Sequence, residues 1–149
     1  MLDDLTGRLL LLVLLLTAAS ALWLARRRSD GAFVAVAAGP TSAARIAAAE
    51  LGAELGARAT FVQFSAPTCA TCPQVSRVLS TEAARVAGVR HVEVPAHERL
   101  DLVRRHGVLR TPTVLLLGPD GTVASRTAGP LDAGQARAAL VAAGVVPSA

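Results

Sequence analysis

The stretch FVQFSAPTCATCPQV, residues 61–75, decides the fold. It continues a run that starts at Ala59 (ATFVQF, 59–64), which is short, apolar and rich in β-branched side chains, the mark of a strand. Cys69 and Cys72 follow at once. Pro73 suits the first turn of a helix, where its missing N–H would have no partner anyway. Val75, Val78, Leu79, Ala83 and Val86 then make that helix amphipathic, and Gly88 ends it.

Two cysteines at i and i+3 on a helix's first turn can close a disulfide. The free N–H groups and the dipole of the helix N-terminus favour thiolate there. Cys69 is then the exposed, attacking nucleophile, and Cys72, held in the helix, resolves the mixed disulfide. Three other readings compete: half of a zinc site shared by two chains, a structural disulfide, and a docking module that keeps the pair without using it. The chain has only these two cysteines, so it holds neither a disulfide framework nor a four-thiolate metal site of its own. No metal and no cofactor are expected.

Downstream, Val89 to Val94 (VRHVEV) alternates and reads as the next strand. Glu98 to His106 reads as a short helix with Leu100 and Val103 inward, closed by Gly107. Thr113 to Leu117 (TVLLL) is a strand, Gly118-Pro119-Asp120-Gly121 a tight turn, and Thr122 to Thr127 the antiparallel return. Gly129-Pro130 breaks the chain before a last helix, Asp132 to Ala143, with Ala136, Leu140 and Ala143 on one side. Upstream, Phe33, Val34 and Val36 form a candidate first strand. Thr41 is placed to cap a helix whose face carries Ala44, Ala48, Leu51 and Leu55. Strand–helix–strand units followed by a hairpin imply an α/β fold with a mixed sheet covered by helices on both faces.

At the N-terminus, Leu9 to Ala25 (LLLLVLLLTAASALWLA) carries no charge. A spanning helix needs roughly 17–25 apolar residues, so residues 9–25 suffice as a membrane anchor. Trp23 suits the interface belt. A cleavable signal peptide competes, with Ala19-Ser20-Ala21 as a small-residue site, and so does a buried soluble helix. Asp3 and Asp4 before the run, and Arg26, Arg27 and Arg28 after it, favour the anchor. The same arginines place the C-terminal domain on the cytoplasmic face by the positive-inside rule. The division expected is an anchor with basic flank over 1–28, a linker over 29–43 and one domain over 44–149, an ordinary size for 149 residues.

Composition excludes more than it selects. The hydrophobic share of 52% is inflated by the apolar run and by alanine. All 15 basic residues are arginine, and the net charge is +4. From Ser29 onward 11 arginines face 9 acidic residues, scattered without a basic stripe or interleaved aromatics, so no nucleic-acid partner is expected. His91, His97 and His106 are spread over strand, loop and helix end, out of register with the cysteines. His106 beside Gly107 is well placed for a helix C-terminus, a stabilising role. No phosphate loop, Ser/His/Asp set or carboxylate pair is present.

From about Ala44 to Ala143 the chain resembles the thioredoxin family, and within it the short members with one N-terminal membrane anchor. FVQFSAPTCATCPQV resembles the family's strand-plus-active-site segment, and GVLRTPTVLLLGPDGTVASRTAG (107–129) resembles its second signature. The resemblance implies a thioredoxin-like fold and a cis Thr111–Pro112 bond facing the cysteines. It also implies substrate binding through the backbone of Thr111, beside Pro112, with Gly129 flanking the groove. An ordinary trans proline at a strand start is the alternative. Four positions depart from the family pattern. Thr68 replaces a tryptophan, Ala70-Thr71 a Gly-Pro pair, and Pro73 a common basic residue. Gln63 stands where a buried carboxylate relays a proton to or from the second cysteine. Glutamine hydrogen-bonds but does not titrate, so acid–base help from that position is in doubt.

The expectation is therefore a membrane-tethered thiol–disulfide oxidoreductase acting on disulfide-containing protein substrates and recycled by a reductase or a membrane electron donor. The alternatives are a thioredoxin-like docking module, or a dedicated reductant of one apo-protein client in metal or haem delivery.

Overall fold

The computed structural model describes residues 2–29, 32–35 and 45–146, with no side chains described for 2–6 and 26–29. The chain divides into two units near residue 30.

The first unit is one helix, α1 (Leu2–Ser29). Within it Gly7–Ala25 has a mean hydropathy of 2.1, with no part of it buried. It is long and apolar enough to cross a bilayer, a test a signal sequence also passes.

The second unit runs β1 (Val34–Ala35), α2 (Ala48–Leu51), β2 (Ala59–Ser65), α3 (Cys72–Ala84), β3 (Val89–Pro95), α4 (Leu100–Arg105), β4 (Thr113–Leu117), β5 (Val123–Ala128) and α5 (Ala133–Ala142). The strands form one sheet in the order β1-β5-β4-β2-β3. β2 and β3 are parallel and joined by α3, and the remaining pairs are antiparallel. The mixed sheet and the order of helices and strands after residue 58 are those expected from the sequence.

β2 lies between β3 and β4, so both of its edges are paired, and core clusters cover both of its faces, which buries Ala59 to Phe64 throughout. That is why the strand reads as a continuous apolar run rather than an alternation. Its period of two divides the core. Phe61 packs with Val75, Leu79, Val114, Leu116 and Leu140 on one face. Val62 and Phe64 pack with Ile46, Leu102, Leu115 and Leu117 on the other. Each fully buried Leu or Phe contributes about 1.5–3 kcal/mol from apolar burial.

Turn chemistry fixes the hairpin as expected. Gly121 adopts φ +83°, and the Gly121 N–H donates to the Gly118 carbonyl (3.0 Å). Asp120 accepts from the Thr122 N–H and hydroxyl (3.1 and 2.7 Å), and with Arg45 these bonds hold its carboxyl down to about 2. At the C-terminal end Asp132 caps α5, accepting from the Gln135 N–H, while the Gln135 side chain accepts from the Asp132 N–H.

Several local expectations are corrected. The helix expected through Ala44, Ala48, Leu51 and Leu55 is one turn, α2. Arg45 bridges Thr122 instead, and the Ile46 N–H donates to the Gly121 carbonyl (2.9 Å), which holds this segment extended against the hairpin. Gly52 at φ +63° then closes the turn. Thr41, Val36 and Ala44 lie outside the described residues. The short first strand exists at Val34–Ala35, within the segment read as a linker, and pairs with β5. Helix α3 ends at Ala84, before Val86. In α4, Val103 packs against the core as expected and Leu102 is fully buried beside it, whereas Leu100, the first residue of the helix, is 52% exposed. β5 runs one residue later than expected, Thr122 being taken by the bridge to Arg45. Ala143 is the exposed cap of α5, and Ala139 takes the inward place.

His106 does cap α4, but not as a cation. It is buried, its Nε2 has no partner, and burial, aided by Arg105 and Arg126 against the pull of Glu50, pushes its pKa down. His91 on β3 is pushed down too, by burial outweighing Glu93. Both bind protons more readily in the unfolded chain, at about pH 6.5. Their neutral forms therefore support the fold fully above that pH, and stability falls as pH drops through it. The melting temperature should decline between about pH 7 and pH 5, and the decline should flatten in His91→Gln and His106→Gln. Glu50 acts in a lower window. The Ala47 N–H and Arg105 hold its pKa down, so its contribution is lost only as pH falls below the ordinary carboxylate range.

Candidate active site

β2 delivers the chain to the cysteines. After Ser65 a turn follows, in which the Cys69 N–H donates to the Ala66 carbonyl (3.0 Å) and the Cys72 N–H to the Cys69 carbonyl (3.3 Å). Cys72 is the first residue of α3, with Thr71 as N-cap and Pro73 behind it. Cys69 therefore precedes the helix rather than sitting on its first turn, with its Sγ 3.9 Å from the Thr71 hydroxyl. The pair is closed as a disulfide with the Cα atoms 5.5 Å apart. Cys69 is half-buried and Cys72 is 3% exposed, the asymmetry expected between an approachable sulfur and a sheltered one.

Gln63 is fully buried beneath the pair. Its Nε2 donates to the Cys72 carbonyl (3.0 Å), which fixes the amide's orientation. Its Oε1 is buried without a hydrogen-bond partner. The residue is tied to the start of α3 as a strut, and no titration occurs there.

The Thr111–Pro112 bond is cis, as the resemblance implies. The Gly129 N–H donates to the Pro112 carbonyl (2.8 Å), with Gly129 at φ +103°, so Pro112 and Gly129 are brought together. Arg110 ties the same corner by donating to the Ala128 carbonyl (2.7 Å). Phe64 pairs with Thr113 across β2 and β4, so Pro112 and the cysteine turn leave the sheet at the same end.

A cleft of about 330 Å³ opens at the cysteines, lined by Cys69, Cys72, Pro73, Glu93 and His97 among others. The last two were missed in the sequence. Their only signal is the parallel register of β2 and β3, which sets Glu93 opposite Gln63, and a register between strands separated by a helix is not written in local spacing. His91 stays apart, its Nδ1 2.9 Å from the Ser80 hydroxyl. Among the described residues no group of three or more His, Cys, Asp or Glu is gathered as a metal site.

The thioredoxin family profile matches residues 45–142, about two thirds of the chain. A protein of the malaria parasite is similar in structure, with a TM-score of 0.52 at 19% identity over 56% of this chain and 94% of that one. Chloroplastic thioredoxin z is similar with a TM-score of 0.50 at 24% identity, over 60% of this chain and 79% of that one. These two likenesses bear on the fold. No curated protein matches in sequence. The chain belongs to the thioredoxin family. Its close Cys69–Cys72 pair supports thiol–disulfide redox chemistry.

Proposed function

We propose that this chain is a membrane-tethered thiol–disulfide oxidoreductase acting on protein disulfides. The observation that carries the reading is the asymmetry of the pair at the helix start, with Cys69 approachable and Cys72 sheltered. With the pair reduced, the Cys69 thiolate attacks a substrate disulfide, forming a Cys69–substrate bond and expelling one substrate thiolate. The Cys72 thiolate then attacks Cys69, the substrate's second sulfur leaves, and two electrons have passed to the substrate. The cycle runs in reverse with an oxidising partner. Thr111, Pro112 and Gly129 would dock the substrate strand at the same end of the sheet.

Residues 9–25 would tether the domain, with the arginine flank orienting it toward the cytoplasm and a reductase as recycling partner. An outward-facing domain would call for a membrane electron donor. The non-titrating Gln63 favours a narrow client range, down to a dedicated reductant of one apo-protein. The trapping experiment is direct. The full-length chain bearing Cys72→Ala, in detergent micelles, should accumulate a mixed disulfide with insulin, mapped by mass spectrometry to Cys69. Absence of that adduct in a reduced, folded variant would overturn the reading.

A further inference from the structure

Resolution of a mixed disulfide needs the Cys72 thiol to lose its proton, and Cys72 is 3% exposed. Gln63 holds the nearest backbone carbonyl but takes no proton. A titrating group must come from elsewhere, or the step depends on rare spontaneous ionisation of a sheltered thiol.

The parallel register answers this. Gln63 on β2 pairs with Glu93 on β3, and paired residues on adjacent strands project to one face. The Glu93 carboxylate is held toward α3, accepting from the Ser76 hydroxyl (3.0 Å) one turn beyond Cys72. Both cysteines and Glu93 line the same cleft. The carboxylate function absent from β2 thus sits one strand over, on the wall of the space both sulfurs share.

We propose that Glu93 is the proton acceptor for Cys72 in the resolving step, acting through water in the cleft. The inference rests on the exchange chemistry proposed above. The Cys72 thiol proton passes to the Glu93 carboxylate, and the Cys72 thiolate attacks Cys69 Sγ. The Cys69–Cys72 bond forms as the Cys69–substrate bond breaks. The substrate leaves as a thiolate, which takes its proton from Glu93 or solvent. In the reverse direction Glu93 returns the proton to Cys72 as the disulfide opens.

Two histidines stand near Glu93 among the described residues. His97 lines the same cleft and pairs with Glu98 (3.6 Å), and His91 lies two residues back on the strand, bound to Ser80. Cys69 and Cys72 line that cleft as well. A purely electrostatic role for Glu93 would have the opposite sign, because a negative charge beside Cys72 disfavours its thiolate. Removing that charge would speed resolution, whereas removing a proton acceptor slows it.

The test uses reduced full-length chain in detergent micelles with a chromogenic aromatic disulfide that releases a coloured thiol twice, first on attack by Cys69 and then on resolution by Cys72. In Glu93→Gln, which keeps a partner for Ser76, the second release should slow relative to the first by about tenfold or more. The deficit should be largest at neutral pH and shrink as rising pH ionises Cys72 without help. Glu93→Asp should recover part of the rate, and His97→Gln and His91→Gln should keep the parental pH profile. An unchanged or faster second release in Glu93→Gln, or the same deficit in His97→Gln, overturns the assignment. Absence of the first release in the unsubstituted chain would instead sink the exchange reading itself.

Discussion

Cys69→Ser should abolish disulfide exchange, leaving insulin reduction at the rate of dithiothreitol alone. The thiolate is the nucleophile of exchange and the atom that carries the substrate. A serine hydroxyl neither ionises in the working range nor forms a disulfide. Cys72 does not substitute for it, being 3% exposed at the first residue of α3, where a bulky protein disulfide has no line of approach. The loss should occur without loss of fold, because Cys69 is half-buried in a turn whose backbone bonds run from its own N–H to Ala66 and from Cys72 to its carbonyl. Far-ultraviolet circular dichroism of the variant should match that of the reduced parent. Retained turnover in Cys69→Ser would move the nucleophile to Cys72 and reverse the assignment of the pair.

Phe61→Ala should be strongly destabilising, at about 3–5 kcal/mol. Phe61 is fully buried on the central strand, within the face covered by α3 and α5. The Phe33 ring lies 6.2 Å from it at 54°, so the truncation also strips a tilted aromatic pair from the segment leading into β1. The surrounding positions, Val75, Leu79, Val114 and Leu116, sit on regular elements and have little freedom to collapse into the gap. Thermal denaturation of the full chain in micelles should show the domain transition lowered by more than about 10 °C. Phe61→Leu should fall between the two, which keeps the comparison open if the alanine variant does not accumulate. A shift of under about 2 °C for the alanine variant would contradict the two-faced core.

What could be read in advance divides along the range of the interactions. The strand before Cys69, the Pro73 helix start, the Gly118–Gly121 turn and the last helix from about Asp132 are each written within a few residues. Each appears in the structure where its local chemistry placed it. Gln63 is of the same kind, six residues before Cys69 on a buried strand. The failures are non-local. The segment from Arg45 has helical spacing, yet Ile46 is captured by the Gly121 carbonyl 75 residues later in the chain, and extended backbone wins over periodicity there. In α4, Val103 faces the core as its spacing says, while Leu102 rather than Leu100 is the buried leucine, a choice made by packing against the sheet and not by the six residues of the helix. His106 stands at a helix end, but burial first and the charges of Arg105 and Arg126 second favour its neutral form, and the burial comes from packing rather than from its local sequence. Glu93 and His97 reach the cysteine cleft only through the β2–β3 register, which depends on how α3 crosses over.

The central claim is that the Cys69–Cys72 pair is a working redox couple for protein disulfides. The measurement that tests it most directly is insulin reduction by the unsubstituted full-length chain in detergent micelles, with dithiothreitol as electron donor. Turnover should run well above the dithiothreitol background, in proportion to the amount of protein added. A rate no faster than dithiothreitol alone, with the domain folded and the disulfide demonstrably reduced, would contradict it.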